Sequence, residues 1–257
     1  MTEATGKMRA EKQSGAPELF LTPQTFTAMT DGVLVFLDLK KDRYSCLEPR
    51  CSAAVAGLLG LNAPREEGAD ETGASGETPA VDELVRDLLE RGLVTRDARK
   101  GKRAEMISHT AMLRETPGYL PGEGPYIQLR HVAAFFRALL VTSLLLGFSD
   151  ISHIAARIRR RRRREKPARR CDAHDERIRK LIEIFRVLRP LGVAVKDRCL
   201  FNSLLLIEFL AAFGIFPEWR FGVRVHGFHA HCWVQEGELI CDDQIQNLAA
   251  SAPIMSV

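Results

Sequence analysis

The stretch that decides the fold of this chain is Phe228-His-Ala-His-Cys-Trp-Val-Gln235. From His231 to Gln235 it is rich in aromatic and β-branched residues, which predicts a strand. Glu236-Gly237 then predicts a tight turn, and residues 238–241 predict the strand that returns beside the first. A β-hairpin is therefore expected near the C-terminus, with His231 close to its open end.

An apolar helix is predicted upstream of this hairpin. It begins at Cys199, ends near Phe213, and is followed by Gly214, a residue typical of helix C-termini. Residues 219–225 predict one more strand between the helix and the hairpin. Together with the helices predicted below, this pattern indicates an α+β fold.

Three residues in this region have the chemistry of a cysteine nucleophile. Cys199 lies in the first turn of a helix, where the helix dipole favours a thiolate and free N–H groups can stabilise an oxyanion. His231 supplies a base on a neighbouring strand, and Asp243 supplies a carboxylate that can orient it. Spacing alone leaves Asp242 as an alternative to Asp243.

Plainer interpretations exist for the same residues. A single Cys199 is more often an inert buried thiol, and a single His231 is often a hydrogen-bonded core histidine. A metal site of His226, His229, His231 and Cys232 is a further alternative. It is disfavoured because strand alternation puts 229 and 231 on one face and 226 and 232 on the other, and because the spacings match no common zinc pattern. No metal and no cofactor are expected.

The positive charge is concentrated in one segment. The 257 residues carry a net charge of +4, yet residues 157–170 alone hold nine arginines. Such confined basicity is weak support for a nucleic-acid-binding surface, and no aromatic residues interleave with it to stack on bases. The run Arg157–Arg164 is predicted to be a solvated helix face or a loop, with binding of an acidic partner or nucleic acid as the functional alternative.

Cysteine usage and hydropathy indicate a cytoplasmic protein. The six cysteines form no Cys-x-x-Cys pair, which argues against a structural zinc site or a disulfide framework. Residues 1–15 lack the apolar core of a signal peptide. The stretch Val132–Phe148 contains Arg137 and is short for a bilayer, so a buried helix is predicted there and no membrane contact is expected.

The N-terminal part is predicted to be a separate module. Residues 1–17 are expected to be a disordered start, 18–100 a small winged-helix-like domain, 101–129 a linker, and 130–257 the second domain. Within the first domain the pattern predicts three strands over 19–47, an Ala-rich helix after Pro49, an acidic insertion at 62–80, an amphipathic helix over 81–91 and a short strand at 93–94. Further helices are predicted at 130–148, 150–164 and 174–189.

The C-terminal part resembles a known family. The sequences Cys199-Leu-Phe-Asn-Ser203, Phe221-Gly-Val-Arg224, Phe228–Gln235 and Ala252-Pro-Ile-Met-Ser-Val257 are similar to the transglutaminase-like (papain-like) cysteine protease domain of lasso-peptide biosynthesis B proteins. The resemblance covers roughly residues 130–257. It implies that Cys199, His231 and Asp243 form the catalytic triad.

The N-terminal part resembles the precursor-recognition element of the same pathway, through Leu21-Thr-Pro, Asp31–Asp38 and Asp42–Leu47. In that element a leader peptide adds a strand beside the third strand and packs on the last helix. The resemblance implies leader contacts at Arg43, Tyr44, Cys46, Leu47, Leu84 and Leu88. The alternative for Leu47, Leu84 and Leu88 is that they form the core of the module.

The resemblance implies a leader peptidase of a ribosomally made peptide. Its partners would be the precursor, through its leader, and an ATP-dependent synthetase that closes the macrolactam ring. No phosphate-binding loop is present in this sequence. Three other functions stay open: a transglutaminase-like acyltransferase, a non-catalytic leader-peptide escort, and a winged-helix DNA binder, although no nucleic-acid partner is expected.

Overall fold

The computed structural model describes residues 18–61, 78–108, 113–116, 124–164, 172–191 and 199–257. The predicted disordered start and residues 62–77 of the predicted insertion lie outside these ranges. Helices and strands are mixed along the chain, in agreement with the predicted α+β class. The strands are β1 (Phe20–Leu21), β2 (Thr25–Thr30), β3 (Val33–Asp38), β4 (Arg43–Cys46), β5 (Val94–Thr95), β6 (Arg114–Glu115), β7 (Glu218–Arg224), β8 (His229–Glu236), β9 (Leu239–Ile240) and β10 (Ala252–Ser256). The α-helices are α1 (Pro49–Leu58), α2 (Thr78–Glu90), α3 (Leu129–Phe148), α4 (Ile151–Arg164), α5 (Asp172–Leu188), α6 (Cys199–Ala211) and α7 (Ile245–Ala249).

The N-terminal part contains a three-stranded antiparallel sheet in the order β2-β3-β4, and a small pair of strands, β1 and β5. The turn between β2 and β3 is Asp31-Gly32, where both residues have positive φ (49° and 72°). Positive φ at both central residues is the geometry of the tight turns that match the twist of a hairpin. Helices α1 and α2 cover one face of this sheet.

Strand β3 connects the two halves of the molecule. Leu34 and Phe36 point into a core formed with α1 and α2, whereas Val35 and Leu37 point into the core of the C-terminal part. Strand alternation explains this division, because successive side chains leave opposite faces. The N-terminal sheet is therefore packed on both sides, and it lies against the domain that carries the candidate site.

The C-terminal part contains a five-stranded sheet in the order β10-β7-β8-β9-β6. Strands β7 and β8 pair in antiparallel register, with Gly222 opposite His231. Strand β6 comes from the predicted linker and runs parallel to β9, and Thr116 donates a hydrogen bond to the Ile240 carbonyl oxygen at 2.7 Å. The sequence pattern does not predict this strand, because two residues show no periodicity.

Helix α3 is only half buried, which corrects the predicted buried helix. Its packed face joins the core, while the outer face exposes large apolar side chains, among them Leu140 (61% exposed) and Phe148 (85% exposed). Within the described residues α3 is the one helix long and apolar enough to cross a membrane by length and composition. The prediction was wrong for the outer face, because no described element packs against it in this structure.

The arginine run lies in helix α4, and some of its side chains form ion pairs with other parts of the fold. Arg161 donates to the carboxylate of Glu208 at 2.6 Å, and Glu208 is completely buried in α6. Arg162 pairs with Glu218 at 3.1 Å and also donates to the Phe216 carbonyl oxygen at 3.1 Å. These arginines therefore hold α4 against α6 and β7, and only part of the run is a solvated face. A buried carboxylate needs such cations, because an unpaired buried charge is strongly destabilising.

Candidate active site

Helix α6 presents Cys199 at its first residue, as the sequence predicts. The helix is held to the sheet one turn later by Ser203, which is fully buried. The Ser203 hydroxyl accepts a hydrogen bond from Trp219 Nε1 at 2.8 Å and lies 3.4 Å from Cys232 Sγ. This contact fixes the N-terminal turn of α6 beside strand β8, where the predicted base lies.

His231 and Asp243 are in direct contact. Asp243 follows the short strand β9, and its Oδ2 is hydrogen-bonded to Nε2 of His231. The other carboxylate oxygen accepts from the Gln244 backbone N–H at 2.8 Å and from Asn247 Nδ2 at 2.9 Å. Three donors therefore hold one carboxylate in place, and the imidazole is oriented by it.

Asp242 has a different partner. Its Oδ1 accepts the backbone N–H of Val234 at 2.7 Å, so it ties the segment after β9 to strand β8. Burial raises the pKa of Asp242 to about 7. Burial also acts to raise the pKa of Asp243, but the hydrogen bonds from His231 and its other donors hold that pKa below its ordinary value. Of the two neighbouring carboxylates, Asp243 is the one in contact with the imidazole.

Proton affinities in the site favour an ion pair between sulfur and imidazole. Hydrogen bonds from the Cys232 thiol, then from His231 and the Cys232 backbone, lower the pKa of Cys199 from 9.0 to about 4, against the opposing effect of burial. Hydrogen bonds to Asp243 and to Cys199 raise the pKa of His231 from 6.5 to about 10. Near neutral pH the site therefore holds a thiolate beside an imidazolium, which is the reactive form of a cysteine nucleophile.

Sequence comparison gives a family match for the part of the chain that carries the candidate site. Residues 138–256 match the family model of the transglutaminase-like superfamily. The C-terminal part of the chain is a transglutaminase-like domain. The superfamily is generally catalytic, with chemistry of the cysteine-protease type, and the matched segment contains Cys199, His231 and Asp243. Comparison with curated proteins and with solved structures gives no significant match.

Cys232 is part of the site of the transglutaminase-like domain, although sequence reasoning considered it only as a metal ligand. It follows His231 on β8, and its side chain lies on the strand face that packs against α6, 3.4 Å from Ser203 Oγ. Its contact with Cys199 and burial keep the pKa of the Cys232 thiol well above 9.0, so it stays protonated and donates to the thiolate. Within the described residues, no group of three or more His, Cys, Asp or Glu side chains is arranged to hold a metal ion.

The histidines of β8 form a stack that supports the base. His229 and His231 lie on one strand face with ring centroids 5.9 Å apart, and His231 lies 6.4 Å from the fully buried ring of Trp233. Gly222 lies under Trp233, where a Cβ would meet the ring at 2.9 Å. The absence of a side chain at Gly222 of β7 therefore lets the Trp233 indole pack closely on that strand, where it stacks beside the His231 ring.

A cavity of about 310 Å³ opens at these residues. Its lining combines the thiol, the imidazole and both carboxylates with further polar and aromatic side chains. The lining residues are Phe185, Arg189, Cys199, Asn202, His229, His231, Cys232, Asp242 and Asp243. Cys199 is thus reachable through a cavity large enough for part of a peptide chain.

The predicted leader-binding residues are divided by the structure. Leu47 and Leu88 lie in the core between the N-terminal sheet and its helices (6% and 0% exposed), which favours the alternative that they form the core of the module. Leu84 is half-buried beside the same core. Arg43 and Cys46 are exposed on strand β4, and their contact with a leader stays a prediction.

Tyr44, also on β4, lies beside the catalytic candidates. Its ring makes an edge contact with Phe228, with centroids 5.6 Å apart, just before strand β8 begins. Burial, followed by the negative charges of Asp42 and of the Cys199 thiolate, raises the pKa of the Tyr44 hydroxyl above its ordinary value. A residue of the N-terminal sheet therefore reaches the electrostatic neighbourhood of Cys199.

Proposed function

We propose that this chain is a cysteine leader peptidase that cleaves the leader from the core of a ribosomal lasso-peptide precursor. The observation that carries the proposal is the hydrogen-bonded pair His231–Asp243 in the cavity that Cys199 also lines. The lowered pKa of Cys199 and the raised pKa of His231 add to it. A vestigial site in a leader escort would not need a thiol whose pKa lies this far below its ordinary value.

In the proposed reaction the Cys199 thiolate attacks the carbonyl carbon at the leader–core junction. A C–S bond forms, and the carbonyl electrons move to oxygen. When the carbonyl re-forms, the C–N bond breaks and His231 gives its proton to the leaving amine of the core. Water, deprotonated by His231, then hydrolyses the leader thioester and restores the thiolate. Asp243 keeps the imidazole oriented and stabilises its charge throughout.

Strand β4 is the proposed docking edge for the leader. It ends the strand order of its sheet, so its outer edge pairs with no other strand among the described residues. An extended peptide can add to such an edge through backbone hydrogen bonds. Tyr44 of the same strand contacts Phe228, just before strand β8, so β4 lies beside the segment that leads to His231. The sequence resemblance adds a precursor-recognition role and an ATP-dependent synthetase as the partner that receives the core, both in the cytoplasm.

The test is mass spectrometry of a precursor peptide from the same gene cluster after incubation with the protein, with and without the synthetase. We expect one cut at the leader–core junction, absent with Cys199→Ala and present with Cys51→Ala. Cys51 is a matched control because it lies on α1, and it does not line the cavity.

Each rival function predicts a different result. An acyltransferase would give a leader–amine adduct in place of free leader when a primary amine is added. An escort would bind the leader equally well with and without Cys199 and leave the precursor intact in every reaction. Either result would contradict the peptidase proposal.

A further inference from the structure

Asn202 is a polar side chain of the cavity that the proposed reaction has not yet used. It lies on α6 three residues after Cys199, and it lines the same cavity as Cys199 and His231. Residues three apart on a helix share a face, and side chains tilt toward the helix N-terminus. The Asn202 amide is therefore directed toward the turn that carries the nucleophile.

The Asn202 amide is also available to a ligand. It makes no hydrogen bond with any of the described residues, although it is only partly exposed. Three of the charged groups around it have partners: His231 is bonded to Asp243, and Asp242 accepts the Val234 N–H, whereas Arg189 lines the same cavity as a rival donor. An amide N–H can stabilise a negative charge by donating a hydrogen bond, and the amide does not exchange protons with the thiolate or the imidazolium.

The proposed peptidase reaction requires such a donor. Attack by Cys199 turns the scissile carbonyl into an oxyanion, whose charge must be met by fixed N–H groups. The first turn of α6 offers backbone N–H groups that have no partner within the helix. Asn202 would add a side-chain donor at a fixed separation from the Cys199 sulfur, because both residues lie on the backbone of α6.

We infer that Asn202 is a catalytic residue whose Nδ2–H donates a hydrogen bond to the oxyanion formed on the scissile carbonyl, together with N–H groups of the α6 first turn. This inference rests on the proposed peptidase function. The amide gains its strongest contact when the C–S bond has formed and the charge is on oxygen. It loses that contact when the carbonyl re-forms and the C–N bond breaks with transfer of the His231 proton to the amine.

The test compares two reactions of Cys199 in wild-type protein and Asn202→Ala. Cleavage of the precursor peptide passes through an oxyanion, and its kcat should fall about 100–1,000-fold with KM nearly unchanged. Alkylation of Cys199 by iodoacetamide forms no oxyanion, so its rate should change less than about twofold. Gln246→Ala serves as a matched control, because this amide is exposed on α7 and does not line the cavity.

The outcomes separate the inference from the function on which it rests. If wild-type protein cleaves and Asn202→Ala cleaves equally well, the inference is overturned while the peptidase stands. An equal loss of cleavage and alkylation would also overturn it, because that pattern marks a structural role. Arg189→Ala is tested in parallel, since Arg189 lines the same cavity, and a loss there with Asn202→Ala unaffected would assign the donor to Arg189 instead. Failure of wild-type protein to cleave would overturn both proposals.

Discussion

Replacing Asp243 by Asn should weaken the imidazolium without changing the shape of the site. The hydrogen bond that His231 donates to Asp243 is the largest of the influences that raise the pKa of His231 from 6.5 to about 10. Asparagine keeps a hydrogen-bonding group at the same place and removes the charge. If about half of the shift is lost, the pKa of His231 falls by about 2 units, or roughly 3 kcal/mol of preference for the charged imidazole.

The assay is the pH dependence of Cys199 alkylation by iodoacetamide, followed by peptide mass. In wild-type protein the alkylation rate should rise near pH 4, where the thiol ionises. It should change a second time near pH 10, the alkaline limit of the ion pair, where the imidazolium loses its proton and leaves a thiolate without its cation. These limits belong to the coupled pair and not to either residue alone. In Asp243→Asn we expect the alkaline limit to move down by about 2 units.

Asp242→Asn is the matched control, because this neighbouring carboxylate bonds the Val234 N–H and makes no hydrogen bond to His231. Its alkaline limit should stay within about half a unit of wild type. An unchanged limit in Asp243→Asn, or an equal movement in both variants, would refute the reasoning that Asp243 sets the charge of the imidazole.

Three further predictions concern the thiolate, its neighbour and the support of the sheet. Precursor cleavage should follow a bell-shaped pH profile, lost below about pH 4 as the thiolate gains a proton and above about pH 10 as the imidazolium loses one; a single-limbed profile across this range would contradict the ion pair. Cys232→Ala should raise the pKa of Cys199 by about 1–2 units, because one of its hydrogen bonds is lost, and alkylation rates at acidic pH measure this; an unaltered acid limit would show that the Cys232 thiol does not donate. Gly222→Ala should lower the free energy of unfolding by about 1–3 kcal/mol, since its Cβ would lie 2.9 Å from the Trp233 ring. Gly57→Ala, in a helix with open space around it, should stabilise by about 0.5–1 kcal/mol in the same thermal denaturation measurement, and equal effects of the two changes would contradict the packing argument.

Much of the catalytic region follows from local sequence pattern. An apolar run with a terminal glycine predicts α6, and a turn dipeptide between two strand-like segments predicts the β8–β9 hairpin. These elements bring Cys199 and His231 to one cavity, although the catalytic role of the residues stays a prediction. The choice between Asp242 and Asp243 depends on the tertiary structure. The path of the chain after β9 decides which of the two neighbouring carboxylates points toward His231.

Other features depended on contacts that no local pattern contains. Leu88 follows the same helical spacing whether it faces a leader or the core, and only the packing of α2 on the N-terminal sheet decides between them. The outer face of α3 has the composition of a buried helix, yet no described element covers it. Arg161 belongs to a run that looks solvated, and its role appears only once Glu208, 47 residues away, is found buried beside it.

The most direct test of the central claim is to trap the acyl-enzyme. Wild-type protein would be mixed with the precursor peptide, quenched in acid within the first turnover, digested, and the mass of the Cys199 peptide measured. We predict a mass increase equal to the leader fragment less one water, carried on Cys199 and accumulating before free leader appears. A precursor that is cleaved with Cys199 unmodified at every time point, or that is cleaved equally by Cys199→Ala, would contradict the assignment of Cys199 as the nucleophile.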